Sequence, residues 1–403
     1  MLTKSVLQLA NELDSEEGGY KAPNLLQRLL SVFKNVRLGS DITHFQMPPM
    51  FNIPKSQLQY TGESVYCSAS DLLSTCNREQ NPVDRLIYVV AWFISSTRPV
   101  TFGVAPYNPI LGETHHVSKG NLNVLVEQVS HHPPVTALHA TDDKENIEMI
   151  WWQQPVPIFY GTSVEGKING KGKLKLLNHG ETYEMNSANL LYRVLPVPSV
   201  DWVGTVNLRC LETGLVAELS YKSSPSFLGL GGNHKVIKGK IFDYSSSKAL
   251  YELDGQWDRY SLTTSMQCFK NQIDPIGSIK NRPINVTIKL KDRINGEVRV
   301  IYDATKGNSG LLILKNEESV WPTESLHVWG ELSQAIMSKD WDKAREAKQA
   351  VEERQRKLMR ERESKGEKWI PKHFEVSHSK EVGWDCSPIQ NFVSAAPIIA
   401  FRK

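Results

Sequence analysis

At 403 residues the chain has room for one large domain or two to three small ones. It is 40% hydrophobic and 23% charged with a net charge of +3, which excludes a strongly basic nucleic-acid binder as the default and leaves room for a basic face toward an anionic surface. Five scattered cysteines without a CxxC pair argue against zinc sites and disulfides and for a reducing compartment.

The first residues, 1–13, hold one lysine and no long apolar run, so no signal peptide is expected. Leu25, Leu26, Leu29, Leu30, Phe33 and Val36 then recur at helical spacing, with Arg28, Lys34 and Arg37 between them, and Gly39 stops that helix. Residues 45–54 are rich in proline, methionine and phenylalanine. Proline blocks regular structure there while the greasy side chains need an apolar surface to cover. Residues 83–97 read as a helix apolar almost all round, hence buried. The longest apolar run, 86–94, is far below the roughly 20 residues that span a bilayer.

From about Val124 to Tyr302 the chain reads as strand after strand. Ile284, Val286, Ile288 and Leu290 alternate with polar residues, and Val298 and Val300 alternate with Glu297 and Arg299 across Asn295-Gly296, a strong hairpin signal. Further turns are predicted at Asn169-Gly170, Asn178-His179-Gly180 and Asp254-Gly255. At about ten residues per strand plus turn the region holds roughly 15 strands. Open sheets rarely exceed about ten strands, so this one should curl into a large barrel enclosing a ligand cavity. Residues 332–366 read as one long charged helix with a thin apolar stripe of Trp341, Ala344, Val351 and Leu358, and the tail to Lys403 reads as irregular. No repeat or low-complexity linker divides the chain. The expectation is one domain over 1–403, with a lid and N-terminal helices at about 20–99, a barrel at 100–310 and a C-terminal helical region at 320–403.

The chemistry-bearing stretch is Glu127-Gln128-Val129-Ser130-His131-His132-Pro133-Pro134. It follows a predicted strand, and its prolines stiffen a corner that presents His131 and His132. Adjacent histidines in extended chain point apart, and no HExxH helix accompanies them, so no metal site is expected. No nucleophile with an orienting acid is visible by motif, so no catalytic residues are assigned. From the residues alone the pair is open to a structural reading as well as a binding one, and the structural one is the commoner.

The octapeptide matches the signature of the oxysterol-binding-protein-related family without a mismatch. Tyr107-Asn108-Pro109-Ile110-Leu111-Gly112-Glu113-Thr114 resembles the family's second signature, and Gly255-Gln256-Trp257, Tyr302-Asp303-Ala304 and Trp321-Pro322 resemble further blocks. The likeness runs from about Leu25 to Phe374 and is nearest to the short plant members that consist of the lipid-binding domain. It implies a mainly β (α+β) fold, a large near-closed antiparallel β-barrel with a central lipid tunnel, an N-terminal lid and flanking helices. The lid maps to residues 36–54, with Ile42, Phe45, Met47, Met50 and Phe51 on it. The family's phosphoinositide headgroup site maps to His131 and His132, to Asn108 with the backbone of Tyr107, and to Lys348, Glu352 and Arg356, spaced by four on one helix face. Without the family match, that triplet would be read as a surface ion-pair ladder worth about 0.3–0.5 kcal/mol per pair. One departure stands out. The family places a lysine just before the proline of the second signature, where this chain has Ala105. Loss of one charge-assisted bond implies phosphoinositide binding weaker by about ten- to hundredfold. Arg98 is the candidate substitute.

The resemblance implies a monomeric, cytosolic protein, peripheral on intracellular membranes, that binds a sterol or phospholipid and exchanges it between anionic membranes, with sterol the first expectation and phosphatidylinositol 4-phosphate the exchanged lipid. It needs no cofactor and touches no nucleic acid. Three rivals remain: a lipid sensor or scaffold that binds without net transfer, a hydrolase using His131 or His132 as base, and a peripheral protein held by the helix at 25–36.

Overall fold

The computed structural model describes residues 36–43, 47–68, 70–98, 100–195, 198–223, 235–245, 248–257, 287–303, 310–381 and 383–402. The helix expected at 25–36 falls almost wholly outside these residues, as does Phe45.

The described chain begins as a strap. Gly39 N–H donates to Phe159 O at 2.7 Å, Ile42 N–H to Pro157 O at 3.0 Å, and Phe159 N–H to Ser40 O at 3.1 Å. Gly39 sits at φ +76°, a turn conformation that glycine adopts without a Cβ penalty. Pro49–Phe51 forms a single 3-10 turn that buries Phe51. Strand β1 (Asn52–Ser56) follows and pairs in parallel with β2 (Ala105–Tyr107). Ser56 caps helix α1 (Gln57–Tyr66) through a capping box with Gln59. Helix α2 spans Ser70–Arg78. Helix α3 (Pro82–Ser96) lies within a residue of its predicted bounds, because Asn81 supplies the N-cap and Pro82 suits the first helical position. Leu86, Ile87, Val89, Val90, Trp92 and Ile94 are buried, so α3 is enclosed on nearly all sides as its composition requires.

The wall comes next: β3 (Thr114–Lys119), β4 (Leu122–His131), β5 (Pro134–Asp142), β6 (Ile147–Phe159), β7 (Ser163–Leu176), β8 (Glu181–Met185), β9 (Asn189–Arg193) and β10 (Ser199–Cys210). It continues with β11 (Leu215–Lys222), β12 (Val236–Asp243), β13 (Ala249–Gln256), β14 (Thr287–Asp292), β15 (Val298–Asp303) and β16 (Gly310–Leu314). With the last strand, β19 (Ile398–Arg402), fifteen strands join in one sheet ordered β15-β14-β13-β12-β11-β10-β8-β7-β6-β5-β4-β3-β19-β16, with β9 bridging β10 and β7. All pairings are antiparallel except that of β3 with β19. Alternate residues of these strands and the buried faces of α1–α3 share one apolar core, so the sheet wraps as a near-closed barrel with helices packed against it.

Two sequence expectations about the wall need correction. The predicted turns at Asn169-Gly170 and Asp254-Gly255 are uninterrupted strand in β7 and β13. A Cβ on Gly170 would lie 2.3 Å from Trp152 O, and one on Gly255 2.2 Å from Thr287 O, so these glycines permit close strand approach rather than reversal. The turns at Gly180 and Gly296 form as expected, at φ +62° and +75°. The tail is not irregular either. Its last strand, β19, inserts between β3 and β16 and completes the wall, and Ile398 and Ala400 are buried in the core. The barrel therefore extends beyond 310, and the region 320–403 is only partly helical.

After β16 come α4 (Ser325–Val328), α5 (Gly330–Met337) and α6 (Trp341–Lys365). The single helix expected over 332–366 is two. Lys339 adopts a left-handed φ of +58°, and the Asp340 carboxylate accepts Lys343 N–H at 3.1 Å as the N-cap of α6. Gly366 ends α6 at φ +66°. The hairpin β17 (Phe374–Ser379) and β18 (Gly383–Pro388) then packs Phe374 and Cys386 on Val129, Val135 and Ala137. No described helix is long and apolar enough to cross a membrane.

Candidate functional site

The barrel holds a cavity of about 110 Å³ that is partly open to solvent. Tyr60, Thr61 and Ser64 of α1 line it, together with Phe93 of α3, Trp151 and Gln153 of β6, Trp202 of β10 and Tyr221 of β11. Phe93 stacks on Trp151 with ring centroids 6.2 Å apart. Several of its polar groups are tied to neighbours. Gln153 Nε2 donates to Thr61 Oγ1 at 2.9 Å, Trp202 Nε1 donates to Arg98 O at 2.8 Å, and the Thr97 and Tyr221 hydroxyls lie 3.0 Å apart. Burial pushes the Tyr221 phenol well above its ordinary range, so it stays neutral. Aromatic walls with a few fixed hydrogen-bonding groups suit a largely apolar ligand.

Arg98, the candidate substitute for a lysine at position 105, already has a carboxylate partner. It lines the cavity and pairs with Glu63 at 3.5 Å, while Lys55 reaches the same carboxylate at 2.8 Å. Burial alone would raise the Glu63 carboxyl, but Lys55 and Arg98 hold it below the usual carboxylate value.

The two signature stretches lie side by side and are zipped by backbone bonds. Gly112 N–H donates to Gln128 O, and Gln128 N–H to Glu113 O, both at 2.9 Å. Their carboxylates serve different neighbours. Glu113 is fully buried and accepts from the Ser56 hydroxyl, Ser325 Oγ at 2.7 Å, Trp329 Nε1 at 2.9 Å and Ile110 N–H at 3.0 Å. It thereby ties β1, the turn after β2 and the α4–α5 region together. Burial pushes the Glu113 carboxyl up against the pull of these donors. Glu127 accepts the N–H groups of Lys372 and His373, each at 2.9 Å, and pins the segment that leaves α6. Gly112 also admits the Trp369 ring, which a Cβ there would approach to 2.5 Å, and Arg362 lies over that ring at 5.4 Å.

His131 ends β4, His132 and Pro133 make the turn, and Pro134 opens β5 opposite His131. The His132–Pro133 peptide is cis. The imidazole centroids are 4.5 Å apart and tilted by 56°, with His131 half-buried and His132 exposed. Tyr107 turns its side chain away into the α5 packing: its hydroxyl meets Ser333 Oγ at 3.1 Å and its ring lies 4.9 Å from Trp329. Only its backbone is left for a site beside the exposed Asn108. On α6, Arg356 lies 3.9 Å from Glu352 and donates to Glu353 at 2.9 Å. Lys348 faces the strap, donating to Met47 O and, at 3.0 Å, to Asn52 Oδ1. Its burial lowers the ammonium pKa, and the neighbouring Glu352 carboxylate partly restores it.

Of the residues expected on a lid, Ile42 is bonded to β6, Met47 to Lys348, and Phe51 is buried, while Met50 is half-buried. Sequence reasoning missed Asn52, whose Nδ2 donates to Ala105 O at 3.2 Å. The signal was a lone amide in the greasy run Met50-Phe51-Asn52-Ile53. It also missed the cavity-lining Trp151, Gln153, Trp202 and Tyr221, which sit in strands that alternate like any other.

A near-closed sheet of 15 strands around a lined cavity, with helices packed against it, defines a ligand-enclosing β-barrel protein. The family model described as oxysterol-binding protein matches residues 28–390, and the chain belongs to that family. Oxysterol-binding protein-related protein 4C of Arabidopsis thaliana is 46% identical over 99% of this chain and 98% of its own length. The related protein 4B of the same plant is 47% identical over 97% of this chain and 95% of its own length. Among solved structures, the Osh1 ORD domain in complex with cholesterol superimposes with a TM-score of 0.70 at 21% identity, covering 96% of this chain and 94% of that one. The Osh3 ORD of Saccharomyces cerevisiae in complex with PI(4)P gives 0.65 at 22% identity, covering 93% and 92%.

Proposed function

We propose that this protein, acting as one lipid-binding unit, takes a lipid from one membrane into the barrel and releases it at another, with no bond made or broken. The aromatic cavity between α1, α3 and the sheet is the observation that carries this reading. Burial of apolar ligand surface contributes about 25 cal/mol per Å², which supplies affinity with few polar contacts. Sterol is the first-choice ligand: the Osh1 domain was solved with cholesterol and with ergosterol. Phosphatidylinositol 4-phosphate is the second, supported by the Osh3 complex and by the sequence resemblance that maps His131, His132, Asn108, Lys348, Glu352 and Arg356 onto the family's headgroup set. The protein works in the cytosol as a monomer, touching anionic membranes transiently.

The test has two parts. Mass spectrometry of lipids that co-purify with the chain identifies the cargo. A vesicle assay then follows a fluorescent sterol from donor to acceptor membranes. Stoichiometric binding without accelerated transfer would replace the carrier with a sensor, and recovery of cleaved lipid would replace it with a hydrolase.

A further inference from the structure

The strap and the candidate headgroup face meet at one ammonium. Lys348 Nζ donates to Met47 O and to Asn52 Oδ1, residues that bracket the 3-10 turn Pro49–Phe51, whose Phe51 is buried. Asn52 is 3% exposed, and its Nδ2 donates onward to Ala105 O at 3.2 Å. One carboxamide thus links α6, the strap and β2. Lys348 lies one helical turn from Glu352 and two from Arg356, on the face assigned to the headgroup.

An ammonium carries three donors, and here two of them serve the strap. The acceptors are both neutral, a backbone carbonyl and an amide oxygen. A phosphate oxygen is charged and makes the stronger, charge-assisted bond. Position 105 offers no charge of its own, since Ala105 contributes only its carbonyl.

We infer that Lys348 and Asn52 are the specificity-determining pair of the headgroup site: with a ligand that lacks a terminal phosphate the ammonium holds residues 47–52 down, and a headgroup that carries a terminal phosphate monoester takes the ammonium and frees them. This rests on the headgroup reading of α6. A ligand binds productively only as far as it changes the balance between two states, and here the differential contact is a single shared donor. Sterol and anionic lipid therefore differ in what they do to the strap, not only in what they touch.

Hydrogen exchange of the amides in residues 47–56 of the full chain tests this, alongside extraction of the lipid from the vesicles. Four additions are compared: phosphatidylcholine vesicles, the same with sterol, the same with phosphatidylinositol 4-phosphate, and inorganic phosphate alone. The phosphoinositide is expected to raise exchange in 47–56 about tenfold, equivalent to about 1.4 kcal/mol, while sterol leaves it slow. A rise with inorganic phosphate alone supports the same chemistry and assigns it to any phosphate rather than to the lipid. Lys348→Met is expected to exchange fast under all four conditions, and Lys348→Arg to restore protection. Should Lys348→Met fail to fold, Asn52→Ala removes one acceptor while keeping the ammonium, and it predicts faster exchange confined to the same segment. Phosphoinositide extracted with 47–56 still protected, or Lys348→Met as slow as the wild type, overturns the inference and leaves the headgroup reading standing. If neither phosphoinositide nor phosphate binds, the headgroup reading itself fails, and the inference with it.

Discussion

Glu127 accepts the backbone N–H of His373 at 2.9 Å, so the first residue of the octapeptide holds the crossing segment between α6 and β17. The motif is thus two things at once. Its carboxylate fastens the chain that follows the long helix, and its histidines, four and five residues on, stand at the β4–β5 turn.

Glu127→Ala is expected to lower stability by about 2–4 kcal/mol, because it orphans the N–H groups of both Lys372 and His373. Urea unfolding followed by circular dichroism measures the loss. A change below about 0.5 kcal/mol, ordinary for a surface site, would contradict the anchoring role.

Ala188→Phe is expected to close the cavity. Ala188 is 8% exposed and lines that space beside Trp202 and Tyr221. A fluorescent sterol should bind at least about tenfold more weakly, a cost of about 1.4 kcal/mol, with the unfolding midpoint little changed. Undiminished sterol affinity would move the ligand elsewhere.

His131→Ala combined with His132→Ala is expected to abolish phosphatidylinositol 4-phosphate uptake and to spare sterol uptake. Ala105→Lys should act in the opposite sense, strengthening phosphoinositide binding by about ten- to hundredfold through one added charge-assisted bond. Lipid extraction from vesicles reads both, and loss of sterol uptake in the double variant would make the histidines structural.

Acid is expected to destabilise the protein through a partly buried aromatic stack. The Trp321 ring lies between His116, at 5.0 Å, and His373, at 4.8 Å. Burial lowers both imidazole pKa values from the ordinary 6.5; His115 adds to the lowering at His116, and His116 and Lys372 add to it at His373. The folded state therefore disfavours protonation. The stability these rings contribute is complete above the ordinary value of 6.5 and is lost as pH falls below it through the depressed folded values. Urea midpoints should drop between about pH 7.5 and about pH 5.5. His116→Asn with His373→Asn should flatten that slope, and an unchanged slope would rule the stack out as its source.

Much of the wall was legible because alternation in strands such as β14 reports directly which face is buried, and because helix α3 carries its own caps at Asn81 and Pro82. The misreadings have a common cause. Gly170 and Gly255 look like turn residues, yet the need they meet is a cross-strand distance to Trp152 and Thr287 that no local window contains. Strand β19 escaped notice because Ile398, Ile399, Ala400 and Phe401 are apolar on both faces, which erases the period of two. The break before α6 was in plain view as an aspartate N-cap at Asp340, hidden by the charged residues around it.

The candidate site divides in the same way. The order of residues determined by itself the two signature stretches, the family they belong to, the spacing of Lys348, Glu352 and Arg356 on one helix face, and the alanine at position 105. Those are properties of neighbours along a chain, where spacing alone decides which side chains share a face. Only the tertiary structure decided what each group is bonded to. It set Arg98 against Glu63, turned Tyr107 into the α5 packing, gave Glu113 and Glu127 to anchoring, and brought Asn52 from 296 positions away to the ammonium of Lys348. A hydrogen bond forms where donor and acceptor meet within about 3 Å, and for residues that far apart in sequence only the folded barrel brings them there.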